Sequence, residues 1–287
     1  MDDRCRQPDL SARRAGGRDL SRRSPTRLDG LVDSHAHLQH ARFDADRDDV
    51  IRRAAEAGIE RILVPGWDVP SSEAALELAE RHAIVDAAVG VHPHDAAGLD
   101  EAGWARLEKL LDDPRTRAVG EIGLDYHRNL SSPEVQREVF GRHLELAAER
   151  HLPVLVHDRE AHADVTDALT AWTGRAGHRA RGVLHAFSGD AEMALRLADA
   201  GFLISFALPV AFRSAAGPRA AAERLVGGSF VVETDAPYLG PEAGGRNEPT
   251  TVLRVVAELA RLRGTQPEAL VKPIRTAYDV LVAPAGG

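Results

Sequence analysis

Short apolar runs separated by longer amphipathic stretches organise the chain from Leu31 onward. The runs cover 31–32, 62–64, 87–91, 118–122, 154–156, 183–184, 202–206 and 230–232. Each is short, almost continuously apolar (Glu121 and Ser205 interrupt two of them) and often β-branched. That is the pattern of parallel strands buried on both faces, not the alternation of a strand with one wet face. Between them apolar positions recur at three- and four-residue spacing, as in 54–59, 74–79 and 144–148, the period of helices with one buried stripe. Ser71 or Ser72 reads as the cap of the helix carrying Glu73, and Pro133 after Ser132 suits a first helical turn. Segments 257–262, 266–271 and 274–282 read as closing helices. Eight strands with helices between them predict an α/β protein, a (β/α)8 TIM barrel built as one domain from residues 28–287. A doubly wound open sheet is the alternative. It is disfavoured because no glycine-rich nucleotide fingerprint follows the first strand.

Residues 1–27 break the pattern. They hold eight Arg and four Asp, with several Gly, Ser and Pro and almost nothing apolar. Such composition cannot offset its own ordering entropy, so the segment reads as a disordered Arg-rich tail or an upstream start. A basic arm that helps hold nucleic acid is the sharper alternative.

The net charge is −8, and −12 without the tail. This argues against a broad basic footprint for duplex DNA, which rests on many Lys and Arg contacts to phosphate. A nucleic-acid substrate is therefore expected to be gripped at an end or over a few nucleotides, with metal ions supplying positive charge. No run approaches the ~18 apolar residues of a spanning helix, and the polar start carries no secretory signal, so no membrane association is expected. The one cysteine, Cys5, has no internal partner, which points to a reducing cytoplasm. Nothing implies an obligatory protein partner.

The chemistry gathers where the strands end. Strand one ends in Asp33-Ser34-His35-Ala36-His37, strand three in Gly90-Val91-His92-Pro93-His94, and strand four in Gly120-Glu121-Ile122-Gly123. Strand five ends in Val156-His157-Asp158-Arg159, strand six in His185-Ala186-Phe187-Ser188-Gly189, and strand eight in Glu233-Thr234-Asp235-Ala236-Pro237. In a barrel these positions converge on the C-terminal rim, where barrel active sites sit. Side chains at i and i+2 of a strand share a face, so His35 and His37 can serve one ion. A lone His-x-His or a lone His157 is as readily a satisfied core histidine. Imidazoles and carboxylates on five strand ends are harder to explain by packing, because carboxylates gathered in a cleft without a cation are costly. No Gly-x-Ser-x-Gly elbow and no phosphate-binding Gly-x-x-x-x-Gly-Lys loop occurs. Ser34, Ser188 and Ser205 accordingly read as structural.

Seven motifs then stand in order: Asp-Ser-His-Ala-His-Leu, Gly-Val-His-Pro-His, Gly-Glu-Ile-Gly-Leu-Asp-Tyr, Pro-Val-Leu-Val-His-Asp-Arg, His-Ala-Phe-Ser-Gly, Glu-Thr-Asp-Ala-Pro-Tyr-Leu and Arg-Asn-Glu-Pro. Together, over about residues 30–282, they resemble the TatD family of metal-dependent deoxyribonucleases in the amidohydrolase superfamily. The resemblance implies a metal-dependent hydrolase of phosphodiester bonds, a 3′-5′ exonuclease on single-stranded DNA ends or small phosphoesters. It implies two divalent ions (Zn, Mn, Ni or Mg), with His35, His37 and Asp235 on the first, His157 and His185 on the second, and Glu121 bridging both. Asp235, Glu121 and His92 take the catalytic roles, and His92, Arg159 and Arg246 the substrate contacts. Some superfamily members bridge their metals with a carboxylated lysine at the end of strand four. The only lysines, Lys109 and Lys272, fall elsewhere, which leaves Glu121.

The same centre can attack a carbonyl, so hydrolysis of a small amide, ester or lactone is an alternative. A catalytically silent metal-binding interaction protein is a second. Departures from the family pattern bear on substrate: a short loop after Leu239 that lacks one of the usual basic residues but keeps Arg246, Ala207 where glycine is usual, and Arg275-Thr276-Ala277-Tyr278 near the end. Of the remaining residues, His94 is expected to support the centre or its loop, His127 to line the cleft and His143 to face solvent. Asp125 and Tyr126 are expected to fix the loop after strand four. Trp104 and Trp172 read as packing, and Trp67 as the indole placed to stack on a base.

Overall fold

The computed structural model describes residues 26–176 and 181–283. All but the last two residues of the 1–27 tail lie outside them. Eight strands alternate with helices: β1 (Leu31–Asp33), α1 (Arg47–Glu56), β2 (Ile59–Pro65), α2 (Val69–Arg81), β3 (Val85–Val89), α3 (Glu101–Leu111), β4 (Thr116–Asp125) and α4 (Pro133–Arg150). Next come β5 (Val154–Arg159), α5 (His162–Ala176), β6 (Gly182–Leu184), α6 (Ala191–Asp199), β7 (Phe202–Phe206), α7 (Ala216–Arg224) and β8 (Phe230–Val232), then α8 (Val252–Leu262) and α9 (Pro267–Val282).

The strands pair in parallel in the order β1 to β8. The ends of β8 and β1 meet through Ser34 N–H to Val232 O (2.9 Å), Asp235 N–H to His35 O (2.8 Å) and a parallel bridge from Ala36 to Ala236. The sheet therefore closes on itself as the expected (β/α)8 barrel. Its apolar strand residues, such as Leu31, Ile62, Val89, Val119 and Val232, are fully buried between barrel interior and helical ring. No helix among the described residues is long and apolar enough to cross a membrane.

Three local expectations need correction. Asp68, not Ser71 or Ser72, caps α2: its carboxylate accepts the Ser71 N–H (2.8 Å), and the Ser71 hydroxyl accepts the Asp68 N–H (2.9 Å) in a reciprocal box. The segments 266–271 and 274–282 form one helix, α9, that runs through Pro273. A mid-helix proline costs about 3 kcal/mol. The stripe Leu270, Ile274, Ala277, Tyr278 and Leu281 stays unbroken and buried across it, and each large apolar side chain contributes about 1.5–3 kcal/mol, so burial wins. His143 does not face solvent. It is fully buried on α4, its Nδ1 2.7 Å from Val139 O and its ring 4.8 Å from that of Trp104.

Candidate metal centre

The strand ends converge because the barrel brings them within one mouth, and two glycines on β4 allow the closest approach. A Cβ on Gly120 would stand 2.5 Å from Leu155 Cβ, and one on Gly123 would stand 2.0 Å from His157 O. Gly123 also holds a φ of +138°, which side chains rarely adopt. β4 can thus press against β5 and carry Glu121 to the centre of the rim. Asp235 and Ala186 hold φ values of +55° and +42°, left-handed backbone that costs of order 1 kcal/mol each and tends to mark functional sites.

Glu121 is 3% exposed and divides its two oxygens. Its Oε2 lies 3.4 Å from both His35 Nε2 and His37 Nε2. Its Oε1 lies 3.0 Å from His157 Nδ1, 2.9 Å from His185 Nε2 and 3.4 Å from His92 Nε2. Asp235 Oδ1 completes the first group at 3.6 Å from both His35 and His37, whose own Nε2 atoms are 3.1 Å apart. Ligand atoms bound at 2.0–2.1 Å in a tetrahedron stand about 3.4 Å from one another. The first group has those edge lengths, and it is made of imidazoles and carboxylates, the donors that Zn²⁺ and similar ions take. His35, His37 and Asp235 form one potential ligand set, and Glu121 falls in two more, with His35 and His185 and with His92 and His157.

Electrostatics follow from burial and crowding. Burial pushes His35 down to about 4. Burial also raises carboxyls: Asp235 is pushed up to about 7, and Asp33, despite accepting from Thr234 Oγ1 and N, up to about 8. Glu121 goes the other way. Burial opposes its charge, but His185, His92, His35 and His157 surround it and hold it well below the usual carboxylate range. His185, buried yet facing Glu121 and Glu233, is raised well above the ordinary imidazole value. This is a set of groups whose charges need one another or a cation.

His92 differs from the other imidazoles. Its Nδ1 accepts the His94 N–H at 3.1 Å, so the neutral ring carries its proton on Nε2, aimed at the Glu121 side of the cleft. It is a donor there, suited to a phosphate oxygen. The cleft wall beyond it holds Trp67, His40 and Tyr238 on one side and Arg159 on another. Among the described residues Arg159 has no carboxylate partner, which leaves its guanidinium for an anion.

The structure thus brings together His37, His92, Glu121, His157, His185, Asp235 and Arg159 in the cleft lining, with His35 buried beneath them against Glu121 and Asp235. It does not bring in Arg246. That guanidinium binds Asp46 (2.5 and 2.8 Å) and Glu248 (2.7 Å) and lies over the Phe43 ring at 4.8 Å, outside the cleft lining. His127 likewise turns outward to Glu160 at 2.7 Å. Trp67 lines the cleft, while Trp104 and Trp172 are buried packing residues. Ser34 and Ser205 bond each other at 2.9 Å in the core. His94 lines the cleft and reaches Asp125 Oδ2 at 2.7 Å. Asp125 fixes the loop after β4 as expected, accepting the N–H groups of His127 and Arg128, but that it and Glu233 lie fully buried behind the histidines is a contribution that residue spacing alone did not single out. Their signal was only that each stands in a motif beside a ligand.

The family model described as TatD-related DNase matches residues 32–281, nearly the whole barrel. The chain belongs to the TatD family. Among its relatives, it is 37% identical over 235 residues to the uncharacterized metal-dependent hydrolase YabD of Bacillus subtilis (strain 168), covering 81% of this chain and 91% of that one. It is 35% identical over 248 residues to the 3′-5′ ssDNA/RNA exonuclease TatD of Dickeya dadantii (strain 3937), covering 84% and 93%. Among solved structures, the TatD homologue YJJV from Escherichia coli K12 superposes with a TM-score of 0.83 at 28% identity, covering 88% of this chain and 98% of that one. This TatD-family chain is a metal-dependent hydrolase, and the imidazole–carboxylate cluster is its candidate metal centre.

Proposed function

We propose that this TatD-family barrel is a 3′-5′ exonuclease that removes nucleotides from single-stranded nucleic-acid ends, and that it works with two divalent ions. The observation that carries the reading is the division of Glu121. One oxygen faces His35 and His37 and the other faces His157 and His185, the arrangement a carboxylate takes between two cations. The naming of relatives as 3′-5′ ssDNA/RNA exonucleases supports the substrate class.

Two ions held there supply a nucleophilic water at neutral pH and neutralise charge on a phosphoryl oxygen. The protein does the rest. Asp235, buried at the rim with Oδ1 turned to the first group, orients the attacking water and accepts its proton as the bond from phosphorus to the neighbouring nucleoside 3′-oxygen breaks and that oxygen leaves, taking a proton from solvent. A neighbouring cation keeps its carboxylate ionised, opposing the effect of burial. His92 donates from Nε2 to a phosphate oxygen, and Arg159 binds a second phosphate oxygen or the next phosphate along. The aromatic wall of Trp67, His40 and Tyr238 offers a face for the terminal base. With only a local cluster of cationic groups, the enzyme grips an end and not a duplex tract, a reading that its net charge of −8 supports.

The test is a metal-supplemented assay on single-stranded DNA labelled at the 3′ or the 5′ end, beside acyl and amide substrates. Mononucleotides are expected from the 3′ end, and Asp235→Asn is expected to lower kcat by at least about 100-fold with its thermal midpoint retained. Full phosphodiesterase activity in Asp235→Asn, or turnover of acyl substrates alone, would overturn the proposal.

A further inference from the structure

The four metal-facing histidines differ in what stands behind them. His35, His37 and His185 turn Nε2 to the centre, and His157 turns Nδ1. Each keeps its other nitrogen buried without a well-formed hydrogen bond: Nδ1 of His35, His37 and His185, and Nε2 of His157. A neutral imidazole that offers one lone pair to a cation carries its proton on the opposite nitrogen. That N–H needs an acceptor, and a carboxylate there fixes the tautomer and makes the ring a better ligand.

Two of the four have one within reach. Glu233 Oε1 stands 3.4 Å from His185 Nδ1, and its Oε2 is itself a buried oxygen without a partner. Asp125 Oδ2 stands 3.5 Å from His157 Nε2. These gaps exceed an ideal charge-assisted bond by roughly 0.6 Å, so a small ring rotation gives each histidine nitrogen an acceptor, although Asp125 Oδ2 is already held by His94 Nε2 at 2.7 Å. Both carboxylates are anchored. Glu233 Oε1 accepts the Ala186 N–H at 2.7 Å, and Asp125 Oδ1 accepts the N–H groups of His127 and Arg128 at 2.9 and 2.8 Å. Gln136 clamps the Asp125 backbone on both sides, accepting its N–H (2.8 Å) and donating to its carbonyl (3.1 Å). Among the described residues, the rings of His35 and His37 meet no carboxylates except Glu121 and Asp235, and those through Nε2; the buried Asp33 accepts only the His35 backbone N–H, at 3.3 Å.

We infer that Glu233 and Asp125 are positioning residues for one half of the centre only. They support the His157–His185 subsite, whereas the His35–His37–Asp235 subsite depends on no buried carboxylate behind its rings. The two halves are thus separable: loss of either carboxylate weakens the ion at His157–His185 and leaves the other in place. The inference rests on the two-ion reading above.

The experiment is Mn²⁺ binding to the metal-stripped full chain, followed by equilibrium dialysis and electron paramagnetic resonance. Wild type is expected to take two ions and give the spectrum of a spin-coupled pair. Glu233→Gln keeps the shape and the acceptor for Ala186 but removes the charge, and Asp125→Asn does the same behind His157. Each is expected to weaken one ion about 10–100-fold, so that at a concentration filling both wild-type sites it shows one ion and an uncoupled six-line signal. Glu233→Asp covers the case in which Glu233→Gln does not fold. Two ions bound with wild-type affinity in these variants, or loss of both ions together, would overturn the inference and leave the two-ion reading standing. Wild type binding one ion or none would overturn both.

Discussion

His143 provides a measure of how far burial shapes this barrel, independent of any metal. It sits on the inner face of α4 against Trp104, and the Arg142 guanidinium also lies over that indole at 4.1 Å. Arg142 is drawn away toward Glu101 and Glu108. Burial pushes the His143 imidazole down to about 4, offset in part by its bond to Val139 O. The unfolded chain protonates near 6.5, so the unfolded state binds more protons between the two values. Stability therefore falls as pH drops through 6.5 and levels off below 4. The drop from 6.5 to about 4 corresponds to about 3 kcal/mol when complete, and to about 2 kcal/mol at pH 5. His143→Leu removes the titrating group and keeps an apolar fill. Urea unfolding of metal-stripped wild type and variant at pH 7.5, 6 and 5 reads the difference, which cancels the other groups that titrate in the same range. The variant is expected to gain about 2 kcal/mol on wild type between pH 7.5 and pH 5. A difference that stays flat across that range would refute the claim that the ring is held neutral in the fold.

Two further outcomes follow from the cleft and its surroundings. Arg159→Ala is expected to raise KM for single-stranded DNA about 10-fold with little change in kcat, and Arg159→Lys to restore only part of it, since a point charge lacks the planar fork; an unchanged KM would remove Arg159 from the substrate site. Arg246→Ala is expected to leave KM unchanged and to lower the thermal midpoint by about 2 °C or less, because Arg53 still holds both Asp46 and Glu248; a raised KM with an unchanged midpoint would return Arg246 to the substrate.

The barrel was legible from local pattern because a strand buried on both faces writes itself as a continuous apolar run, such as 154–156 or 230–232, whatever its neighbours. The convergence of the histidines and carboxylates was legible for a related reason: side chains at strand ends need no further information than strand order to meet on one rim, and His35 and His37 share a face by periodicity alone, whereas their division between two ions came only from the family resemblance. Other readings failed where the deciding partner lies far along the chain. Arg246 is local to the rim in sequence, yet Asp46, 200 residues away, takes its charge. His143 carries a polar ring on a helix whose weak amphipathicity does not announce which face is wet, and only the approach of α3 with Trp104 decides it. Pro273 reads as a helix end until the packing of Ile274 and Tyr278 against the barrel outweighs its missing bond.

Composition and periodicity by themselves determined the eight strands, the closed architecture and the chemical identity of the groups at its mouth, because those depend on spacing along one chain. Tertiary structure alone decided how Glu121 divides its oxygens, that Glu233 and Asp125 stand behind two histidines and not the other two, and which arginine is left for an anion. Those are distances of a few ångströms between residues tens to hundreds of positions apart, and only a closed barrel with fixed register sets them.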